Sequence, residues 1–570
     1  MSLGGAVFLV GWIVFLILRY AVGIPMLDDW EMVAVVTKAH TGELTFTDLF
    51  AQQQEARTVL PKLIFIALSY GKYWDGRAAM ILSVLACCLT ALGIYRILGR
   101  SGMPGWTTMT VFLLSLVLVF SPAQHEIWLL ASGFPSFLPA LFIAWGIYIA
   151  TSNRPIAGKF VVCAALAVCA SFSLANGLLA WPLTFPCAFL LPTRPPKRWL
   201  GYWLFACALC AAIYFWHFNP ASDLPGFAPR RAFIDYWQYI AAFLGSGLGR
   251  SGNEYPLGTS ITVGSVLLCG YFSAVGCLVY RRDDHILRTQ VLPWLALGGY
   301  SIGSACLAAL GRIEWGIGQA LESRYVAFSI YLAIAGIILA GIGSVRLLRT
   351  APRRWRLTAF TVVAFVVLGW TALELSCAFG SVATFRVRSA SARLGQSAVL
   401  FGSVIDTSHI IRSVNYPRPS FVREKAEMLD RLHLLQRPLV RTREIAKMRR
   451  GPLDNQTAAG WWDGLAVGSD GRNTAWGWAA LPARNRPADA VLLAYANQEG
   501  NWIAFALSDA VLDRPDVVQV LGSADQLWSG WRVIFSDETF PKGAKISAWA
   551  VDAKESKLYR LGSSRLSSGM

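Results

Sequence analysis

The chain has 570 residues, 55% hydrophobic, 13% aromatic and only 15% charged, with a mean hydropathy of +0.47; a soluble domain carries about 25% charged residues, so a soluble globular fold is excluded. The formal net charge of +17 does not point to nucleic acid, because an arginine excess in short cytoplasmic connections is the ordinary orientation signal of a polytopic membrane protein. All 11 cysteines lie between Cys87 and Cys377 in apolar runs, and the CxxC at Cys207 and Cys210 has no second ligand pair, so neither a metal site nor a disulfide framework is read.

In chain order, apolar runs near the ~20 residues that cross a bilayer predict about eleven spanning helices. They fall at roughly 3–23, 76–97, 105–121, 132–150, 160–175, 177–193, 199–216, 260–280, 291–311, 325–345 and 357–378. The first run ends in Ala21-Val22-Gly23, the form of a signal-peptide cleavage site, but Met1 to Ala6 carry no Lys or Arg and Arg19 and Tyr20 interrupt its end; it is read as a retained anchor. Basic residues concentrate in the connections after even-numbered helices: Arg96 and Arg100; Arg154 and Lys159; Arg194, Lys197 and Arg198; Arg281, Arg282 and Arg288; Arg346, Arg349, Arg353, Arg354 and Arg356. By the positive-inside rule these connections are cytoplasmic, which puts the N-terminus inside and the C-terminal region outside.

Two external stretches are long. The first, 24–75, opens with the acidic segment Leu27-Asp28-Asp29-Trp30-Glu31 and then offers two short amphipathic pieces, Met32–Ala39 and Val59–Tyr70, the second with Pro61 in its first turn. The second, from His217 to Gly258, contains the aromatic, interfacial run Phe233–Leu248. Beyond the last span, residues 379–450 read as helical and strongly basic, and the texture changes near Asp454. Alternating runs at Thr474–Ala480, Asp489–Ala496, Trp502–Leu507, Trp531–Phe535 and Lys545–Val551, with turns such as Ser469-Asp470-Gly471, predict a small antiparallel β-sandwich. The expected organisation is a transmembrane domain over 1–380, a basic helical connector over 381–455 and an accessory β-sandwich over 456–570. The fold class is thus mainly α, a polytopic membrane protein with a C-terminal extracytoplasmic β-sandwich.

Residues able to carry chemistry cluster on the outer side. Asp28, Asp29 and Glu31 place three carboxylates within about a turn of each other beside Trp30; crowded like charges raise one partner's pKa, which suits a general base or a cation ligand. Arg57 and Lys62, after Gln52-Gln53-Gln54-Glu55, either hold a phosphate oxygen or snorkel to lipid headgroups. Gln124-His125-Glu126 lacks the second histidine of HExxH and reads more readily as a satisfied polar pair than as a metal site. Arg312-Ile313-Glu314-Trp315 and Glu322-Ser323-Arg324-Tyr325 put ionisable groups at membrane depth, where they mark a site or an ion pair closing a loop. Asn176-Gly177, in Ser171 to Gly177, suits a tight polar turn. No Walker loop, GxSxG or GxGxxG occurs, so nothing points to a nucleotide.

Together these features resemble the GT-C superfamily of glycosyltransferases, multi-spanning enzymes that use lipid-phosphate-linked sugars. The resemblance rests on Asp28-Asp29-Trp30, the segment from Glu55-Ala56-Arg57 to Pro61-Lys62-Leu63, Ser173-Leu174-Ala175-Asn176-Gly177 and Ser323-Arg324-Tyr325, over about 1–380. These residues are similar to the pattern in bacterial enzymes that modify O-antigen, hence lipopolysaccharide, and other cell-envelope polysaccharides. The resemblance implies an inverting transferase in the bacterial inner membrane, moving a sugar from a polyprenyl-phosphate donor to an extracytoplasmic glycan or lipid acceptor. The catalytic acid maps to Asp28 or Asp29, and Arg57, Lys62 and Arg324 to the donor phosphate. Glu31, Glu55, His125, Glu126, Arg312 and Asn176 are read as supporting residues. Some members use a divalent metal, so Asp28, Asp29 and Glu31 are alternatively ligands for Mg²⁺ or Mn²⁺. The rival readings are an envelope glycan polymerase or ligase, a flippase for lipid-linked sugars, and a scaffold displaying its C-terminal domain.

Overall fold

The computed structural model describes residues 2–71, 73–191, 195–219, 231–250, 255–350, 352–451, 459–468, 472–508, 510–541 and 543–563. Arg194, the boundary near Asp454, the turn Ser469-Asp470-Gly471, part of the second external stretch and the side chains of Arg353, Arg354 and Arg356 lie outside the described residues. The chain is mostly helical and ends in a β-sheet region. Among the described residues, eight helices are long and apolar enough to cross a membrane: Gly76–Leu98, Gly105–Trp128, Ala131–Ala150, Arg198–Phe215, Pro256–Tyr280, His285–Trp315, Ser323–Thr350 and Val367–Phe401. The other three expected runs appear as the shorter apolar helices Gly4–Tyr20, Ile156–Ser171 and Ala175–Leu190. The last of these is broken into a 3-10 turn at Ala175–Leu179 and short helices at Ala180–Leu183 and Cys187–Leu190, because Pro182 and Pro186 each lack the N–H that a continuing helix needs.

Two compact units divide the chain: Met1–Arg19, Leu44–Phe65 and Ala78–Ala383 form one, and Tyr20–Glu43, Ile66–Arg77 and Thr384–Met570 the other. Near the start the helices are α1 (Ser2–Tyr20), α2 (Asp29–Thr41), α3 (Phe46–Phe50) and α4 (Val59–Ser69). Helix α2 stops at Gly42, whose φ of 75° is the left-handed backbone that glycine adopts without a Cβ clash, and whose N–H closes on the Lys38 carbonyl. Helix α3 starts at a reciprocal cap between Thr45 and Asp48.

Within the first unit, the helices Phe233–Gly249 and Pro256–Tyr280 meet backbone to backbone. A Cβ on Gly245 would lie 1.9 Å from the Ser260 carbonyl oxygen, and one on Gly264 would lie 1.9 Å from that of Ala241. Small residues allow such close approach, which is what holds apolar helices together where no hydrophobic driving force separates them from lipid. Gly264→Ala should therefore cost about 3 kcal/mol or more, the upper end of overpacking penalties, and appear as a lowered melting temperature of the purified chain; an unchanged transition would show that the two helices separate freely. A polar knot ties the next layer: the Asn176 amide donates to Tyr300 Oη at 3.0 Å and Ser304 Oγ at 3.2 Å. Gly177 beside it admits no side chain, since a Cβ would meet the Ala170 carbonyl oxygen at 1.8 Å. Asp284 caps the His285–Arg312 helix through the Leu287 N–H at 2.8 Å and accepts from Arg346 at 2.8 Å; chiefly that Arg346 bond holds its carboxyl below the usual range.

In the second unit the region expected to be a helical connector is only partly so. The helix Arg353–Phe401 runs well past the predicted end of the last span, and Pro419–Arg431 forms another, but regular helix is lost between and after them. Pro417, Pro419 and Pro438 interrupt the pattern, and His433 takes a positive φ of 56°.

The strands are β1 (Arg449–Arg450), β2 (Ala459–Val467), β3 (Arg472–Leu481), β4 (Arg486–Pro487), β5 (Ala490–Ala496), β6 (Trp502–Leu507), β7 (Ala510–Leu512), β8 (Gly530–Ser536), β9 (Ile546–Asp552), β10 (Lys557–Arg560) and β11 (Gly562–Ser563). One sheet has the order β1-β10-β9-β5-β6 and the other β11-β2-β3-β8-β7, with β4 paired to β3. Residues of both enter one buried cluster: Trp462, Ala475, Trp531, Val533 and Phe535 from one, Val491, Leu493, Phe505 and Ala550 from the other. The alternation that predicted the strands is the alternation of burial along β3 and β8. Beside this core, Asp489 and Asp552 are buried against Arg486, and Arg484 reaches Asp552 at 2.9 Å. Such buried carboxylates require paired cations.

Candidate functional site

The acidic segment lies in the second unit, where the chain turns into α2. Leu27, just ahead of it, has a positive φ of 48°, a backbone conformation that costs a residue with a Cβ about 1–2 kcal/mol. Its N–H donates to the Asn415 carbonyl at 3.0 Å, which holds the turn in place. Asp28 is the N-cap of α2 and half-buried. Asp29 is only 1% exposed, and its carboxylate accepts the Met26 N–H at 3.1 Å. The buried Trp30 donates from Nε1 to Asn415 Oδ1 at 2.6 Å. Glu31 accepts from the Tyr416 hydroxyl at 3.0 Å, and Tyr416 in turn accepts from Arg418 at 3.1 Å. Burial pushes the Tyr416 phenol above its ordinary range; the Arg418 hydrogen bond lowers it and Glu31 raises it.

The three acids thus have different surroundings. Asp29 is built into the turn, Glu31 is paired to a tyrosine, and Asp28 stands half-buried at the N-cap of α2. Their carboxylates do not converge as ligands would: among the described residues no group of three or more His, Cys, Asp or Glu side chains is placed to hold a metal ion. The Mg²⁺ or Mn²⁺ reading of Asp28, Asp29 and Glu31 does not fit these donor directions. Asn415 and Tyr416 went unanticipated, because a single polar pair before Pro417, nearly 400 residues away in sequence, carries no local pattern.

The first unit holds Glu55, Arg57, Lys62, His125, Glu126, Asn176, Arg312 and Arg324. Arg57 is buried and spends its donors on backbone: Nε, Nη1 and Nη2 donate to the carbonyls of Tyr214, Phe50 and Trp216. Lys62 does likewise, giving Nζ hydrogen bonds to Asp48, Leu49 and Ala51 carbonyls at 3.0, 3.1 and 2.6 Å. These are the orphan carbonyls at the end of α3, which a cation satisfies well. Both cations therefore fix the shape of the 48–57 segment, and the donors assigned to a phosphate by sequence are engaged in doing so.

Glu55 and Arg312, far apart in sequence, come together. Arg312 Nη2 donates to Glu55 Oε1 and Oε2 at 3.1 and 2.9 Å, and Nη1 to the Tyr325 hydroxyl at 3.1 Å. Its guanidinium lies 5.5 Å from the Trp315 ring centre, a cation–π distance. Arg324 lies 5.5 Å over the Tyr325 ring, and among the described residues its buried Nε meets no hydrogen-bond partner. Tyr239, which the sequence did not single out, donates to Gln319 Oε1 at 3.2 Å on the same side of the unit. The Glu126 N–H donates to Ser323 Oγ at 3.3 Å, and Ser323 to the Ala123 carbonyl at 2.6 Å, so the turn carrying His125 and Glu126 abuts the residue before Arg324. His125 is buried there. Asn176 belongs to the knot with Tyr300 and Ser304 instead. A guanidinium with a donor unmet among the described residues, over the same Tyr325 that a Glu55-paired arginine bonds, is an arrangement able to receive an anionic oxygen.

Comparison with protein-family models, with curated proteins and with solved structures yields no match.

Proposed function

We propose that the chain is an inverting glycosyltransferase that takes a sugar from a polyprenyl-phosphate donor and delivers it to an extracytoplasmic envelope glycan or lipid. The observation that carries the reading is the acidic turn, in which a strained Leu27 leads into Asp28, half-buried at the N-cap of α2, followed by a buried Asp29 bonded to backbone and by Glu31 bonded to Tyr416. In the step proposed, Asp28 accepts the proton of the acceptor hydroxyl. The acceptor oxygen forms its bond to the anomeric carbon as the carbon–phosphate oxygen bond breaks, and the polyprenyl phosphate leaves with the electron pair. The sequence resemblance is what assigns the charge growing on that phosphate to Arg324. Arg57, Lys62 and the Glu55–Arg312 pair act as positioning residues for their own segments. The eight long helices together with the three shorter apolar runs support eleven spans, the two sheets with a common core support a β-sandwich, and the basic connections support an N-terminus inside and a C-terminal region outside, in a bacterial cytoplasmic membrane.

One experiment tests activity and orientation together. Right-side-out membrane vesicles carrying the chain receive a radiolabelled polyprenyl-phosphate sugar and a membrane-impermeant envelope polysaccharide. Label should pass to the polysaccharide only when the chain is present, with inverted anomeric configuration. Label that crosses the membrane still attached to its lipid would instead identify a flippase, and label transferred only in inside-out vesicles would reverse the orientation.

A further inference from the structure

Eight tryptophans lie in the sequence of the C-terminal region, and the structure sorts those of one sheet by face. Trp462 and Trp531 are 7% and 2% exposed and lie in the core, whereas Trp461 and Trp476 are 44% and 38% exposed. Across the β11-β2-β3-β8-β7 sheet, Trp461 stands opposite Trp478, and Trp476 stands between Gly464 on β2 and Arg532 on β8. An irregularity between Trp462 and Gly464 makes Asp463 an extra residue in β2.

Glycines let these indoles lie down on the sheet. A Cβ on Gly464 would be 2.4 Å from Trp476 Cζ2, and one on Gly562 would be 2.4 Å from Trp461 Cζ3. Each ring therefore covers a neighbouring glycine with one face and leaves surface open to solvent. Arg514 crosses the same face: its side chain passes over Gly530 on β8, bonds Asp463 on β2 at 2.6 Å and holds Asp516 through two further bonds at 2.9 and 2.6 Å. Exposed Arg532 on β8, paired with Trp476, and exposed Arg472, beyond Thr474 on β3, add positive charge to the same face.

The geometry points to a glycan-binding face on this sheet, whose occupant is an acidic polysaccharide chain. Flat indoles present the apolar, polarisable surface against which the C–H faces of pyranose rings stack. The exposed Arg472 and Arg532 set positive charge beside them, the charge complementarity that an acidic chain meets. A lipid headgroup is the lesser fit, because tryptophans that anchor a membrane extend into it, whereas these two lie against the strands. The inference does not rest on the chain being a transferase, since no residue of this face takes part in the step proposed above.

The test uses the full chain in detergent, with hexagalacturonate as the acidic probe and maltohexaose as the neutral one, read by intrinsic tryptophan fluorescence and confirmed by calorimetry. Wild type should bind hexagalacturonate more tightly than maltohexaose. Trp476→Leu keeps an apolar cover on Gly464 while removing the indole, and should weaken both probes about tenfold. Arg532→Gln should weaken hexagalacturonate by about tenfold or more and leave maltohexaose unchanged, which a folding defect would not do. Absence of hexagalacturonate binding by wild type overturns the proposal, as does wild-type affinity in a folded Trp461→Leu/Trp476→Leu double variant. Quenching by soluble short-chain phosphatidylglycerol but not by hexagalacturonate would assign the face to lipid and also overturn it. Sugar transfer from the lipid donor is measured in parallel, so loss of transfer with intact glycan binding bears on the catalytic reading alone.

Discussion

Asp28→Asn should lower sugar transfer by about 10²–10⁴-fold, the usual cost of losing a general base, while leaving the melting temperature unchanged. The amide keeps the shape of the carboxylate at the N-cap of α2 but accepts no proton at neutral pH. Asp29→Asn should behave differently. Its carboxylate is buried and bonded to the Met26 N–H, and an asparagine oxygen accepts from the same donor, so activity should survive with a modest loss of stability. Asp29→Leu removes the acceptor altogether and strands a buried N–H, at a cost of about 1–3 kcal/mol. Single-turnover transfer and thermal unfolding of the three variants separate these outcomes. Full activity in Asp28→Asn with none in a well-folded Asp29→Asn would move the base to Asp29; full activity in both would remove the acidic turn from the mechanism.

Arg324→Ala should lose about 10²–10³-fold in turnover, the scale of removing one donor from a developing oxyanion, and should also weaken binding of a non-transferable polyprenyl-phosphate sugar analogue. A phosphate ligand acts in the ground state as well as the transition state, so both readouts move. Arg324→Lys retains charge but not the planar fork, and should recover binding more than turnover. Arg312→Gln provides the contrast. It breaks the pair with Glu55, which keeps 36% of its side chain in solvent, so the stability cost is about 1 kcal/mol or less. Its effect on donor binding should be smaller than that of Arg324→Ala. The reverse order would make Arg312 the phosphate ligand and Arg324 its brace.

The long apolar runs were legible because a helix in lipid must be apolar over its whole length; seven of the eight long helices lie close to their expected places, and the last runs on to Phe401, well beyond its expected end. The strands were legible for a related reason: burial on one face forces alternation, so Trp502–Leu507 was read to its end residues and the other four to within one or two. Neither pattern says where a cation's donors go. Arg57 and Lys62 look like phosphate ligands in sequence, yet carbonyls at the end of α3 and in the Tyr214–Trp216 turn use their hydrogens, and those carbonyls are left over only because the helices end there. The Glu55–Arg312 pair joins residues 257 apart, a distance over which local pattern is silent. Among the tryptophans, strand parity separates Trp461 from Trp462, but the extra residue at Asp463 shifts the count, so sequence alone could not align Trp461 with Trp476 on one face.

The glycine contact between the helices Phe233–Gly249 and Pro256–Tyr280 also governs motion. Ordinary helix pairs slide over a layer of side chains that hop between rotamers; here backbone lies on backbone, and Gly245 and Gly249 leave no room for even a Cβ against Ser260. That pair is a single stiff element. Glycine is used differently in the short 3-10 turns that join Arg312 to Arg324, at Gly316 with its φ of 97° and at Gly318, where a Cβ would meet open space. At Gly316 the missing side chain serves the turn of the backbone, whereas between the two helices it serves their close approach.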